Sequence, residues 1–112
     1  MSFGNIKIPI KPISINECWQ GRRFKTKKYD KFIIDMLRVM PKREMLTGSI
    51  KLEIRLYLKS LLRGDIDNFI KPIVDCVVKK GWIKDDIFIV LLEVEKFKSA
   101  EEFFEIELKK LT

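Results

Sequence analysis

Residues 64–75, Gly64-Asp65-Ile66-Asp67-Asn68-Phe69-Ile70-Lys71-Pro72-Ile73-Val74-Asp75, are soon followed by Gly81-Trp82-Ile83-Lys84-Asp85-Asp86, so five carboxylates crowd around Lys71 in a basic chain. Like charges gathered without counter-ions repel, and such a cluster suits a divalent cation better than it suits folding stability. Asp65 and Asp67 are two residues apart. From an extended or turning segment their side chains leave the same face and can grip one hard cation through oxygen. A cation so held would offset the anionic oxygens that shield a phosphodiester from attack and would lower the pKa of bound water. Lys71 then stabilises transition-state charge or guides the attacking water.

Composition removes competing chemistries. None of the 112 residues is histidine, which excludes Ser-His-Asp and Cys-His catalysis, histidine-ligated zinc and the histidine-metal nucleases. Cys18 and Cys76 form no Cys-x-x-Cys pair, which argues against zinc and against a secreted disulfide framework. No apolar run approaches the roughly 20 residues of a spanning helix. The N-terminus lacks the residue order of a signal peptide, so a cytoplasmic protein without membrane contact is expected.

The net charge of +7 is uneven: residues 1–47 hold 11 Lys and Arg against 4 acids, and residues 48–112 hold 12 against 12. The excess is densest in Trp19-Gln20-Gly21-Arg22-Arg23-Phe24-Lys25-Thr26-Lys27-Lys28, where five cations are interleaved with two rings. Cations can neutralise phosphates with release of counter-ions, and rings can stack on unpaired bases or pack beneath the loop. The plain alternative is a solvated charged loop.

Apolar periods define the elements that must position these groups. Phe3 to Ile10 alternates and reads as a strand, stopped by Pro9 to Pro12, with a long basic loop over residues 11–26. Tyr29, Phe32, Ile33, Met36, Leu37 and Met40 recur at three and four, the core face of a helix from about Lys27 to Met40 that Pro41 ends. Ile50 to Leu58 alternates as a half-buried strand. A second helix should begin near Asn68, which puts Pro72 in its first turn, and Gly81 closes it. Ile87 to Phe97 and Phe103 to Leu108 read as two more strands, expected to pair as a hairpin. Lys71 and Asp75, four and eight residues beyond Asp67, share one face of the second helix, and Asp85 and Asp86 lie in the turn that starts the third strand. The order β-α-β-α-β-β predicts an α/β (α+β) fold, a small mixed sheet of about four strands with two helices on it, as one domain over residues 1–112.

The string Asp65-x-Asp67-Asn68-x-x-Lys71-Pro72-x-x-Asp75, then Gly81 and Asp85-Asp86, resembles the signature of the RusA family of Holliday junction resolvases, small endonucleases associated with phages and prophages. Ile8-Pro9-Ile10-Lys11-Pro12-Ile13-Ser14-Ile15-Asn16 is also similar to that family's first strand and Pro-rich, Ser-x-Asn loop. The resemblance implies a magnesium-dependent homodimer, with manganese as a substitute, that binds four-way DNA junctions and nicks opposing strands symmetrically. By motif position Asp65, Asp67 and Asp86 would be metal-binding catalytic carboxylates, Lys71 essential beside them, and Asp75 and Asp85 further candidate ligands. The basic run before the first Asp is reduced here to Arg63, which shifts the expected DNA contact to Arg22, Arg23, Lys25, Lys27 and Lys28, with Arg63 and Asn16 as additional candidates.

Each residue also has a structural reading. Asp65, Asp67 or Asn68 can cap a helix, Lys71 and Asp75 make an ordinary i,i+4 pair, Asp85-Asp86 can be a turn, and Trp82 and Cys76 suit a core. Capping explains one acid and leaves the set unexplained. Two other functions compete: a non-catalytic DNA-binding recombination accessory protein, and a metal-dependent phosphohydrolase of small phosphates, which would need a nucleotide pocket that no motif supplies.

Overall fold

Strict alternation makes β4 (Ile50–Leu58) the axis of the molecule: Ile50, Leu52, Ile54, Leu56 and Leu58 are buried, while Lys51, Glu53, Arg55 and Tyr57 face the other way. The computed structural model describes residues 2–20 and 24–111. Beside β4 lie β6 (Phe103–Lys110), antiparallel to it, and β5 (Ile89–Lys98), parallel to it; β1 (Ser2–Ile8) pairs antiparallel with β6. The sheet order is β1-β6-β4-β5. Helices α1 (Lys27–Val39) and α2 (Ile70–Lys79) supply Phe32, Met36, Ile73 and Val77 to the cluster formed with Leu52, Ile54, Phe104 and Ile106. The α+β class and the β-α-β-α-β-β order of main elements are therefore as the sequence predicts.

One pairing is not. The last two strands do not form a hairpin, because β4 lies between them. Strand β5 follows α2 in a β-α-β crossover and so pairs parallel with β4, leaving the opposite edge of β4 for β6. Residues 99–102 cross the end of β4, where the Ser99 N–H donates to the Leu58 carbonyl at 2.8 Å and the Lys59 N–H to Glu102 Oε2 at 3.0 Å. Four residues suffice to cross two strand spacings of about 4.8 Å. The segment expected as a loop over residues 11–26 also contains structure: a 3-10 turn (Ile15–Glu17) closed by a Ser14/Glu17 capping box, and a two-residue antiparallel ladder between β2 (Trp19–Gln20) and β3 (Phe24–Lys25).

Helix ends follow local chemistry. Thr26 caps α1 by accepting from the Tyr29 N–H, and Met40 ends it ahead of Pro41. A 3-10 turn (Ile66–Phe69) precedes α2, which starts at Ile70, and Pro72 sits in the first α-turn where its missing N–H costs little. Gly81, at φ +80°, closes α2: its N–H donates to the Val78 carbonyl and the Trp82 N–H to Val77, a Schellman motif. Trp82 is fully buried and donates its indole N–H to the Pro41 carbonyl at 2.9 Å. Among the described residues strand β5 has a neighbour on one side only, and Val90, Leu91 and Leu92 along it, with Ile87 in the turn before it, are exposed.

Candidate active site

The acidic segment leaves the end of β4 and turns at Gly64, whose φ of +72° suits glycine. A Cβ there would also meet the ring of buried Phe69 at 3.3 Å. The Lys96 ammonium of β5 pins the turn from the other side, donating to the Leu61 carbonyl at 3.0 Å and to the Gly64 carbonyl at 2.6 Å. Asp65 follows in extended conformation and its main-chain oxygen accepts from the Asn68 N–H at 3.0 Å. The side chain of Asp65 makes no capping bond, and α2 has no side-chain cap either. Asp65 and Asp67 are exposed, and their carboxylates take no hydrogen bond or ion pair among the described residues. Helix capping therefore does not account for them.

Lys71 is the centre of what comes together. Its Nζ lies 2.8 Å from Asp75 Oδ1 and 3.6 Å from Asp86 Oδ2. The hydrogen bond to Asp75 raises the Lys71 pKa, burial opposes, and the charges of Asp75 and Asp86 add to the rise. The i,i+4 pair of the plain reading is present, but a third residue from another element joins it. Asp67, Lys71 and Asp86 open on one cavity of about 360 Å³ whose floor is apolar, with Ile70, Val74 and Leu92. A second cavity of about 350 Å³ lies on the other flank of Lys71, where Asp75, Asp85 and Asp86 face Lys25 and Tyr29. Asp85 caps the turn Asp86–Phe88 by accepting from the Ile87 N–H at 3.2 Å, so of the two adjacent acids one holds the turn and the other meets Lys71. Asp65 lines neither cavity. Among the described residues no three acids stand close enough together to hold one ion.

Asp67 and Asp86 are hard oxygen donors, and Mg²⁺ usually keeps several waters while taking one or two carboxylates and substrate phosphate. By donor type the pair suits a hard divalent cation, although the two carboxylates alone do not make a closed site among the described residues. The thiols offer no competing nucleophile: both cysteines are buried, and burial pushes Cys18 up to about 11 and Cys76 up to about 12.

The basic residues divide. Lys25 reaches the second cavity and lies 5.1 Å from the centre of the Tyr29 ring. Lys27 is exposed at the start of α1, and Lys28 is paired with Glu17 at 2.5 Å. Arg63 is half-buried and ties down the N-terminal loop: it donates to the Pro12 carbonyl at 2.9 Å, approaches Glu102 at 3.4 Å and covers the Phe69 ring at 5.4 Å. Asn16 is exposed, with its N–H on Ser14 Oγ. Arg22 and Arg23 lie outside the described residues.

Sequence reasoning missed one residue here. Tyr29 fits the apolar face of α1 and is indeed buried, yet its hydroxyl donates to Asp75 Oδ2 at 2.9 Å. The only hint in the sequence is that a core tyrosine needs a partner for its O–H.

A lysine set among carboxylates, flanked by further cations on a two-layer α+β scaffold, is a combination suited to phosphodiester chemistry. The family model described as Endodeoxyribonuclease RusA matches residues 19–109, and the chain belongs to that family. A search of curated proteins gave no match. No helix among the described residues is long and apolar enough to cross a membrane.

Proposed function

We propose that this chain is a magnesium-dependent Holliday junction resolvase, a single nuclease domain over residues 1–112 that works as a homodimer and nicks two opposing strands of a four-way junction symmetrically. The observation that carries the proposal is the opening of Asp67, Lys71 and Asp86 on one cavity in a chain of an endodeoxyribonuclease family. Recombining DNA of a cell or prophage places the work in the cytoplasm.

Asp67 and Asp86 are the proposed ligands of Mg²⁺ or Mn²⁺; Asp65, which lines neither cavity, would join them only by turning its side chain in as the ion binds, and Asp75 and Asp85 line the cavity on the other flank of Lys71. The ion, when bound, supplies charge neutralisation and acidifies water. The Lys71 ammonium offers up to three N–H donors, with which it can hold a non-bridging phosphate oxygen and stabilise the charge that builds there. Arg22, Arg23, Lys25, Lys27 and Lys28 are the proposed track for the DNA backbone. Asn16 is carried on the loop that Arg63 fixes, so Arg63 serves the DNA contact by shaping that loop. The apolar edge of β5, uncovered among the described residues, supports a homodimer, since such a strand edge with exposed Val90, Leu91 and Leu92 invites a self-complementary contact.

The test is a synthetic four-way junction and a matched linear duplex, each with and without magnesium, with nicks mapped on every strand. Paired nicks on the junction alone, only with magnesium, are expected. Indiscriminate duplex nicking would leave a generic nuclease. A second reading, the non-catalytic accessory protein, has one observation in its favour: no three described acids converge, and Lys71 stands close to Asp86. It requires junction binding that ignores magnesium, without nicks.

A further inference from the structure

Lys71 has four freely turning side-chain bonds, and its side chain is 54% exposed. A flexible ammonium in water visits many positions, and a group that must meet one phosphate oxygen works only in a few of them. Asp75 restricts it. One carboxylate oxygen takes the Lys71 ammonium at 2.8 Å, and the other takes the Tyr29 hydroxyl at 2.9 Å. Tyr29 is itself fixed, with its side chain buried at the start of α1 and its N–H on the capping Thr26 Oγ1, whose hydroxyl donates to the Glu17 carbonyl at 2.6 Å. A chain of hydrogen bonds thus runs from the capped end of α1 through Asp75 of α2 to the ammonium beside Asp86.

We propose that Tyr29 and Asp75 are a positioning pair that holds the Lys71 ammonium at the mouth of the Asp67–Asp86 cavity, with Asp75 acting through Lys71 and not as a metal ligand. Both Asp75 oxygens are engaged by donors from the protein, which leaves its carboxylate the least available of the acids around Lys71. The proposal rests on the nuclease reading for its effect on rate, while the bonds it names can be tested without catalysis. The bland alternative is that the Tyr29 O–H merely satisfies a buried phenol and tethers α1 to α2.

Tyr29→Phe keeps the ring and removes the O–H. With saturating junction and magnesium, its single-turnover nicking rate should fall roughly 10- to 100-fold, while its junction Kd stays within about twofold and its melting curve remains cooperative. The Lys71 side-chain ¹⁵N–¹H ammonium resonance, assigned with Lys71→Met, should be visible in the unsubstituted protein and broaden away in Tyr29→Phe. Should Tyr29→Phe fold poorly, Asp75→Asn at a half-exposed position asks the same question and should lose at least as much rate. The double variant should be no slower than Asp75→Asn alone, as expected of residues acting in one chain. Unchanged rate and resonance in Tyr29→Phe, or additive losses that follow melting temperature, would overturn the proposal. If the unsubstituted protein fails to nick any junction the nuclease reading falls, and the resonance still decides: its loss in Tyr29→Phe upholds the positioning pair, its persistence removes it.

Discussion

Arg55, on the outer face of the sheet, touches three carboxylates: Glu53 at 2.9 Å, Glu105 at 3.3 Å and Glu107 at 3.3 Å. Lys51 adds contacts to Glu53 at 2.8 Å and Glu93 at 3.4 Å, and Glu105 also accepts from the Tyr57 hydroxyl at 2.6 Å and from Asn5 at 2.7 Å. The acidic segment after β4 is arranged the other way. Asp65 and Asp67 face solvent with no partner among the described residues, and Lys71 is shared between Asp75 and Asp86. Both regions hold more acids than cations. On the sheet hydroxyl and amide donors add to the cations at Glu105, whereas at the site the Tyr29 hydroxyl takes up Asp75 and leaves Asp65 and Asp67 open, which is what groups reserved for an incoming cation require.

The largest effect that would break this comparison is on catalysis. Asp67→Asn removes one negative charge from the open cluster and should slow nicking by about 1,000-fold, with junction binding unchanged or tighter because a charge near phosphate is gone. Because Asp67 is exposed and has no partner among the described residues, the variant's unfolding free energy should move by no more than about 0.5 kcal/mol. Magnesium at ten times its Kd should stabilise the unsubstituted protein by about 1.4 kcal/mol, and Asp67→Asn by clearly less. Full nicking by this variant would remove Asp67 from the site.

Arg55→Met probes the closed region and should behave in the opposite sense. It strips a half-buried guanidinium from three carboxylates and leaves them facing one another, at a cost of about 1–2 kcal/mol in urea unfolding, reduced from the buried-pair figure because the group is partly solvated. Its nicking rate per folded molecule should match the unsubstituted protein. A variant that lost activity while keeping stability would show that the two regions are not independent.

The same contrast explains what could be read from the sequence. Strand β4 was fully legible, with the same bounds, because one buried face imposes strict alternation. The start of α1 at Lys27 was equally plain from its apolar spacing, although the Thr26 cap that fixes it emerges only from the structure. The false hairpin arose because adjacent strands usually pair, while the alternation of β4 does not reveal how many neighbours it has. The strand read over Ile87 to Phe97 is present as Ile89–Lys98, yet a short apolar run such as Ile89-Val90-Leu91-Leu92 cannot distinguish a core from an open edge. At the site, the spacing Asp67 to Lys71 to Asp75 was visible as one helical face. That Asp86 reaches Lys71 while Asp65 lines neither cavity beside it, and that Tyr29 holds Asp75, depends on how α1, α2 and the turn before β5 pack, which no local pattern encodes.

The smallest expected effect sharpens the comparison through pH. The Tyr57 hydroxyl, with Asn5 and Arg55 behind it and weak burial opposing, holds the Glu105 carboxyl below the usual range; Lys51 and then Arg55 do the same for Glu53, again against burial. A carboxylate whose folded pKa is depressed contributes stability that is present above its unfolded pKa of about 4.3 and is lost as pH falls through the lower folded value. Unfolding free energy, measured in urea from pH 6 downward, should therefore hold steady to about pH 5 and then decline through pH 4 and below. Arg55→Met starts lower at neutral pH, and its decline should be shallower, because Glu105 and Glu53 have lost a cation that favoured their ionised forms. Asp67→Asn should keep the slope of the unsubstituted protein, since the paired outer face is intact. An equal flattening in Asp67→Asn would place the acid-labile charges at the site and reverse the division between the two clusters.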